Sequence, residues 1–116
     1  AVRTLTNRPD PPTCILLPDD HSTLGAMQAA KQLNLRVPED LSLAGYDGIR
    51  LTQMLQPRLT TIEQDTKRIG AQAAEFLIDR IENPRTAGSE TATIPVKLLE
   101  GESMGICPMK TDAANS

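Results

Sequence analysis

The stretch LSLAGYDGIRLTQMLQPRLTTIEQ, residues 41–64, decides the predicted fold of this chain. It contains two short apolar segments, Leu41–Tyr46 and Leu59–Glu63, each with the length and composition of a buried strand. Asp47 directly follows the first segment, and Gln64 follows the second. Polar side chains just beyond the strand ends of an α/β sheet are a usual place for a small ligand. The stretch therefore predicts an α/β sheet with a small-molecule site at its edge.

A further strand and a helix are predicted upstream. The run TCILL, Thr13–Leu17, is continuously apolar, which suits a strand covered on both faces, with Cys14 as a small core residue. Asp19 and Asp20 are candidate caps for a helix from about residue 21 to residue 33, because carboxylates are favourable at the amino end of a helix. Strand, helix and strand in this order predict a βαβ unit with parallel strands.

The predicted upstream helix has two apolar sides. One side is a stripe at helical spacing that would face the sheet: Ala26, Ala29, Ala30 and Leu33. Leu24 and Met27 lie off this stripe, beside Gln28 and Lys31. A second apolar side indicates either ordinary core packing or a second partner, and we expect a subunit contact here.

The downstream half is predicted to contain one long helix and one edge strand. The helix begins at a cap, Asp65 or Thr66, and ends at Asn83-Pro84. Its apolar stripe consists of Ile69, Ala73, Phe76, Leu77 and Ile81. Thr91–Leu99 alternates loosely and contains a proline, which is typical of an edge strand.

Both ends of the chain are expected to lack regular structure. Residues 1–12 are polar and rich in proline, which indicates a linker or a frayed end. Residues 104–116 have no apolar periodicity and are predicted to be a disordered tail. The first residues do not have the charged-then-apolar build of a signal peptide, and the chain does not begin with Met. We therefore expect a piece of a longer protein whose start lies upstream.

Composition narrows the function classes. The 116 residues suffice for one domain, and no apolar run approaches the roughly 20 residues of a membrane span. The net charge is −3, without a cluster of Lys and Arg, which argues against this segment gripping a phosphate backbone by itself. Cys14 and Cys107 lack metal-ligand spacing and indicate free thiols in a reducing cytoplasm.

Four linked segments, in order, carry a family resemblance. They are D-x-x-x-L-G-A-x-x-A (Asp20–Ala29), L-R-V-P-E-D-L-S-L-A-G-Y-D (Leu35–Asp47), P-x-L-T-T-I-x-Q (Pro57–Gln64) and G-x-x-A-x-x-x-L (Gly70–Leu77). At these segments the chain closely resembles the effector-binding domain of the lac-repressor/galactose-repressor (LacI/GalR) family of bacterial transcription regulators. The resemblance covers roughly residues 9–103.

The resemblance implies a lobe of the periplasmic-binding-protein-like type I fold, a three-layer α/β/α arrangement that is incomplete in this chain. In the family, effector binds between two lobes, and an N-terminal helix-turn-helix reads operator DNA. Residues 13–103 would be the C-terminal portion of the effector-binding domain, with residues 65–90 belonging to the other lobe. The resemblance implies a homodimer and no catalytic residue, cofactor or metal.

The resemblance also implies roles for particular residues. By position, the effector contacts would be Asp19, Asp47 and Gln64. A carboxylate can accept two sugar hydroxyls, and an amide can both donate and accept. The residues near the dimer contact would be Leu24, Met27, Lys31, Ile49 and Leu51.

The chain departs from the family pattern at three positions. Asp19 stands where the family usually has Asn, Gly48 where many members have a second acid, and Gly101 where an Arg is common. An ionised acid in place of an amide accepts hydrogen bonds but cannot donate them, so the identity of the effector stays open.

Plainer interpretations of the same residues also stay open. Asp19 and Asp20 could act only as helix caps, Asp47 could hold its own turn, and Gln64 could be a solvated strand end. His21 is expected to be a surface residue.

Three other functions compete with the regulator. A phosphoacceptor receiver domain would place Mg²⁺ among Asp19, Asp20 and Asp47, but no Lys ends a buried strand where that chemistry needs one. An acid–base enzyme is disfavoured because no nucleophile, base and orienting group occur together. A periplasmic solute-binding protein of an ABC-type sugar transporter is the main alternative to a regulator.

Overall fold

The computed structural model describes residues 1–85, 88 and 90–107. The elements in chain order are α1 (Val2–Thr6), β1 (Cys14–Leu16), α2 (Asp20–Gln32), β2 (Ser42–Asp47), a 3-10 helix (Arg50–Met54), β3 (Thr60–Glu63), α3 (Thr66–Glu82) and β4 (Lys97–Leu99). The four strands form one sheet in the order β1-β2-β3-β4, in which β1, β2 and β3 are parallel. The predicted α/β sheet is confirmed.

The predicted βαβ unit is formed by β1, α2 and β2. Cys14 pairs with Ser42 and Leu16 with Ala44, so the two strands run in the same direction. Their parallel pairing requires a crossover, and α2 provides it. The bounds of α2 lie within a residue of the predicted ones.

The core of this unit lies where α2 packs against β2. Ala26 and Ala30, two members of the predicted stripe, are buried with Leu41 and Leu43 in one apolar cluster. The small alanine side chains let the helix approach the sheet closely, and Leu41, just before β2, and Leu43, within it, fill the space between them. The predicted sheet-facing side of this helix is therefore confirmed.

The amino end of the chain differs from the prediction. Residues 1–12 were predicted to be a linker or frayed end, but Val2–Thr6 form α1. Val2 is buried in the same cluster as Ala26 and Ala30. Val2 docks this five-residue helix onto the core cluster, and no periodicity can be read from so short a segment.

The first strand is also less covered than predicted. Cys14 is exposed, and Leu16 is 72% exposed. Side chains alternate along a strand, so Ile15 packs against the core cluster while its two neighbours face the other way. The expectation that β1 is covered on both faces, with Cys14 in the core, is wrong for this chain.

The chain divides into two compact units. The first comprises Ala1–Glu63 together with the chain from Leu98 on, and the second is Gln64–Lys97. The second unit contains α3, which begins at the cap Asp65 and ends at Asn83, as predicted. None of the residues of α3 is buried, and its apolar stripe is exposed at Leu77 and Ile81.

The last predicted strand is shorter than expected. Only Lys97–Leu99 of the predicted strand Thr91–Leu99 are in strand conformation. Pro95 has no N–H to donate, which explains why pairing begins after it. Of the predicted disordered tail, residues 104–107 are described and have no regular secondary structure, while residues 108–116 lie outside the described residues.

Candidate functional site

The parallel strands of the first unit end at one edge of the sheet, which we call the carboxyl edge. Asp47 is the last residue of β2, and its register partner is Glu63, the last residue of β3. Asp19 follows the end of β1 and precedes α2. Because parallel strands place their carboxyl ends together, the ends of β1, β2 and β3 bring these carboxylates to the same edge.

Asp19 is the N-cap of α2. Its backbone is extended, its Oδ1 accepts a hydrogen bond from the Ser22 amide at 2.6 Å, and its Oδ2 accepts one from Ser22 Oγ at 2.8 Å. The bond from the Ser22 amide, supported by the one from its hydroxyl, lowers the pKa of this carboxyl below its ordinary value of 3.8. Asp19 thus acts as the predicted cap, and each oxygen keeps further lone-pair capacity for a ligand.

Asp47 lies in a turn with unusual backbone geometry. Its φ is 120°, and the following Gly48 has a φ of 74°. A side chain at Gly48 would meet the backbone and side chain of Glu63, so the chain turns immediately against the end of β3. Positive φ is uncommon for residues other than glycine, although Asp tolerates it better than most. The half-buried Asp47 carboxylate therefore sits on a turn that must be held in shape.

Asp20 has a larger structural part in this edge than the sequence indicated. Its side chain is 0% exposed. Its Oδ2 accepts hydrogen bonds from the amides of Gly48 and Ile49, both at 2.9 Å. Its Oδ1 accepts one from the Thr61 hydroxyl at 2.6 Å. By sequence alone Asp20 is a candidate cap, whereas in the structure Asp19 caps the helix and Asp20 links α2 to the ends of β2 and β3.

A signal for this role exists in the sequence. Asp20, Thr23, Ala26 and Ala30 are the buried residues of α2, and they follow one another at helical spacings of three or four residues. An acid on the inward side of a helix needs buried partners, because an unpaired buried charge is costly. The position of Asp20 on that side could therefore have indicated hydrogen bonds to distant segments.

Gln64, the third predicted effector contact, begins the second unit. It immediately follows Glu63 in the chain, and its carbonyl oxygen accepts a hydrogen bond from the Thr66 amide at 3.0 Å. Asp65, the next residue, caps α3 by accepting from the Arg68 amide at 3.0 Å. The first unit thus brings Asp19 and Asp47 to one edge, and Gln64 belongs to the second unit.

The predicted dimer-contact residues lie on α2 and at the start of the 3-10 helix. Leu24 and Met27 are half-buried, and Lys31 is exposed. Met27 packs against the core cluster, so part of its side chain has an internal role. Ile49 is half-buried, and Leu51 is 49% exposed.

An open groove of about 880 Å³ in the first unit is lined in part by Met27 and Lys31, and it does not include Asp19 or Asp47. A subunit contact stays a prediction.

The described part of the chain contains no group of three or more His, Cys, Asp or Glu side chains arranged to hold a metal ion. Within the same residues, no helix combines the length and the apolar character needed to cross a membrane. Cys14 and Cys107 are both exposed, and the Cys107 sulfur lies 3.5 Å from the Thr13 hydroxyl oxygen.

The chain is similar to a known domain family and to bacterial transcriptional repressors. The family described as periplasmic binding protein-like domain matches residues 1–104. The HTH-type transcriptional repressor CytR of Escherichia coli (strain K12) is 44% identical over 99 residues, which are 85% of this chain and 29% of CytR. The HTH-type transcriptional repressor PurR of Edwardsiella ictaluri (strain 93-146) is 36% identical over 108 residues, which are 93% of this chain and 31% of that PurR. The chain therefore spans about a third of the length of these relatives.

Solved structures of LacI-type regulators are also similar to this chain. A LacI family transcriptional regulator from Enterococcus faecium with bound ribose superposes with a TM-score of 0.78 and 28% identity, covering 94% of this chain and 39% of that chain. The transcriptional regulator CelR in complex with cellobiose has a TM-score of 0.79 and 30% identity, covering 89% and 31%. The lac repressor dimer bound to operator and the anti-inducer ONPF has a TM-score of 0.71 and 32% identity, covering 80% and 32%.

These matches confirm the resemblance to LacI-type regulators, and the match over residues 1–104 shows that the chain belongs to the periplasmic binding protein-like domain family.

Proposed function

We propose that this chain is the effector-sensing, dimerising portion of a bacterial LacI-type transcriptional repressor. The observation that carries the proposal is the carboxyl edge itself, where Asp19 follows β1 and Asp47 is the last residue of its parallel neighbour β2. Carboxylates at this position suit a ligand with several hydroxyl groups, because each oxygen can accept a hydrogen bond. Relatives named as repressors support the regulatory role. A LacI family neighbour with bound ribose supports a sugar or a related metabolite as effector.

The proposed mechanism is binding, and no bond of the effector is made or broken. Asp19 and Asp47 hold the effector from this lobe, and Gln64 contacts it at the crossing to the other lobe, to which residues 65–90 are assigned. An effector that fits one arrangement of the lobes better than another shifts the balance between them. A helix-turn-helix segment outside this chain would read operator DNA as part of a cytoplasmic homodimer, with Leu24, Met27, Lys31, Ile49 and Leu51 near the subunit contact.

A test of the proposed site uses the full-length parent protein and isothermal titration with ribose and with cellobiose. We expect at least one sugar to bind and Asp47→Ala to weaken its binding by about 1–3 kcal/mol, the loss typical for a hydrogen-bonding charged group. Asp40→Ala is the matched control, because Asp40 precedes the same strand at its opposite end and pairs with Arg36 at 2.7 Å. Equal sugar affinity in wild type and Asp47→Ala would refute the site, and binding of neither sugar would refute the sugar assignment.

The alternative function, a periplasmic solute-binding protein of a sugar transporter, is supported by the description of the matching family. The repressor relatives favour the regulator. The gene sequence upstream of Ala1 separates the two functions. A helix-turn-helix pattern about 200 residues before this segment supports the regulator. A charged-then-apolar signal segment in its place would overturn it.

A further inference from the structure

The turn that carries Asp47 has two consecutive residues with positive φ, Asp47 at 120° and Gly48 at 74°. Such a conformation persists only where surrounding contacts hold it. The next two amides along the chain, those of Gly48 and Ile49, donate to the same oxygen, Asp20 Oδ2. One carboxylate oxygen on α2 thus fixes the backbone on the far side of the turn.

The Asp20 side chain itself has little freedom to move. Its other oxygen, Oδ1, accepts from the Thr61 hydroxyl of β3. A Cβ atom at Gly45 would overlap Asp20 Oδ1 and would crowd the Thr23 hydroxyl. The absence of a side chain at Gly45 therefore leaves the space that the carboxylate fills, and the carboxylate joins α2, the turn after β2, and β3.

From this geometry we infer that Asp20 is a positioning residue: it holds the Asp47–Gly48 turn in the shape that presents the Asp47 carboxylate to the effector. This inference rests on the proposed function for the role of Asp47. Asp20 is buried and has no exposed surface for an effector, so it acts through the turn. Loss of its oxygens would leave the Gly48 and Ile49 amides without their acceptor, which frees the turn to change conformation.

The direct test is amide hydrogen exchange in the full-length parent protein without any sugar. The Gly48 and Ile49 amides are expected to exchange slowly in wild type and at least roughly tenfold faster in Asp20→Ala, because they lose a charged acceptor. Thr61→Val is the matched control, since it removes a contact of the same side chain and keeps both bonds to the turn. If Asp20 only stabilised the helix, Asp20→Ala would instead speed exchange at the first amides of α2 and leave the Gly48 and Ile49 amides protected.

The second readout is the affinity for ribose. Asp20→Ala is expected to weaken ribose binding roughly tenfold or more, Asp20→Asn to recover part of that loss because its amide oxygen can still accept, and Thr61→Val to have a smaller effect. Asp47→Ala, measured beside them, separates the two proposals. If Asp47→Ala weakens binding and both Asp20 variants bind as wild type does, the positioning role is refuted and the site stands.

If Asp47→Ala has no effect, the proposed site fails and the positioning role fails with it. If Asp20→Ala does not fold, amide exchange at Gly48 and Ile49 in wild type and the ribose affinity of Asp20→Asn still decide the question. Unprotected Gly48 and Ile49 amides in wild type would overturn the inference.

Discussion

The two long helices of the chain make an instructive comparison. α2 and α3 both begin at an aspartate cap, and both carry an apolar stripe at helical spacing. α2 buries Thr23, Ala26 and Ala30, whereas α3 has no buried residue. An apolar stripe therefore shows which side of a helix seeks cover, but it does not show whether the covering residues belong to the same segment of chain.

The caps of the two helices, in contrast, are alike. Asp19 accepts from the Ser22 amide at 2.6 Å, and Asp65 accepts from the Arg68 amide at 3.0 Å. Each bond joins the cap to the third residue after it, which is the usual geometry of an aspartate N-cap. The backbone cap is thus alike in the two helices, with an added bond from the Ser22 hydroxyl to Asp19, and the larger difference between the helices is one of tertiary packing.

The largest expected effect on stability comes from a substitution where α2 contacts the sheet. Leu43→Ala removes a fully buried side chain from the cluster that α2 covers, and we expect it to lower the free energy of unfolding by about 2–5 kcal/mol. Leu77→Ala on α3 is the control, because Leu77 is 60% exposed and its loss should cost less than about 1 kcal/mol in this chain. Urea unfolding of the 116-residue chain measures both, and equal losses would contradict the comparison.

The same substitution on α3 can be compared between the 116-residue chain and the full-length parent. The proposed function places α3 in the other lobe, where the rest of that lobe would cover its stripe. In the full-length parent we therefore expect Leu77→Ala to cost roughly 2 kcal/mol or more, as for a leucine in a packed core. Thermal unfolding of parent and fragment with the same substitution measures the difference. A cost that stays small in the parent would show that α3 has no such partner.

The short span of the chain leads to an affinity prediction. The chain spans about a third of the length of its relatives, and the proposed site lies between this lobe and a second lobe that the chain largely lacks. An effector that is bound between two lobes loses the contacts of the missing one. We expect the 116-residue chain to bind ribose or cellobiose at least roughly tenfold more weakly than the parent does. A tight, stoichiometric complex of the fragment with either sugar would contradict the two-lobed site.

The smallest expected effect concerns the cap of α2 and depends on pH. The folded-state pKa of Asp19 is lowered, so its contribution to stability is fully present above its ordinary value of 3.8 and is lost as the pH falls through the lower folded value. We expect Asp19→Ala to reduce stability modestly at pH 7, with the gap to wild type closing below about pH 4. Urea unfolding monitored by circular dichroism at pH 7 and pH 3 measures this gap. A gap that widens in acid would show that the Asp19 carboxylate does not stabilise the helix through these bonds.

Much of the fold could be predicted because it depends on local patterns. The apolar runs beside Asp47 and Gln64 identified two strands, and the alanine stripe identified the covered side of α2. The contacts of Asp20 were beyond such reasoning, because its partners lie 28, 29 and 41 residues away in the chain. The exposure of Cys14 could not be read either, because a continuous apolar run shows that a strand seeks cover and not that its cover lies within the chain.

The candidate site was only partly predictable. The positions of Asp19 and Asp47 at the carboxyl edge followed from strand ends and from the family resemblance. The conformation of the turn did not, because the positive φ of Asp47 depends on the hydrogen bonds from the next amides to a distant helix. Residues that bind can be predicted from where strands end, whereas the residues that hold them in place require the folded structure.

The central claim, that effector held at the carboxyl edge controls DNA binding, is tested most directly by fluorescence anisotropy of an operator fragment with the full-length parent. The operator DNA would be selected for tight binding to the parent protein, and the titration would be repeated with the sugar that binds. We predict that the sugar changes operator affinity at least about fivefold. Asp47→Ala should abolish this change and leave operator affinity without sugar as in wild type. A sugar that binds without altering operator affinity, or an unaltered response in Asp47→Ala, would contradict control of DNA binding from the carboxyl edge.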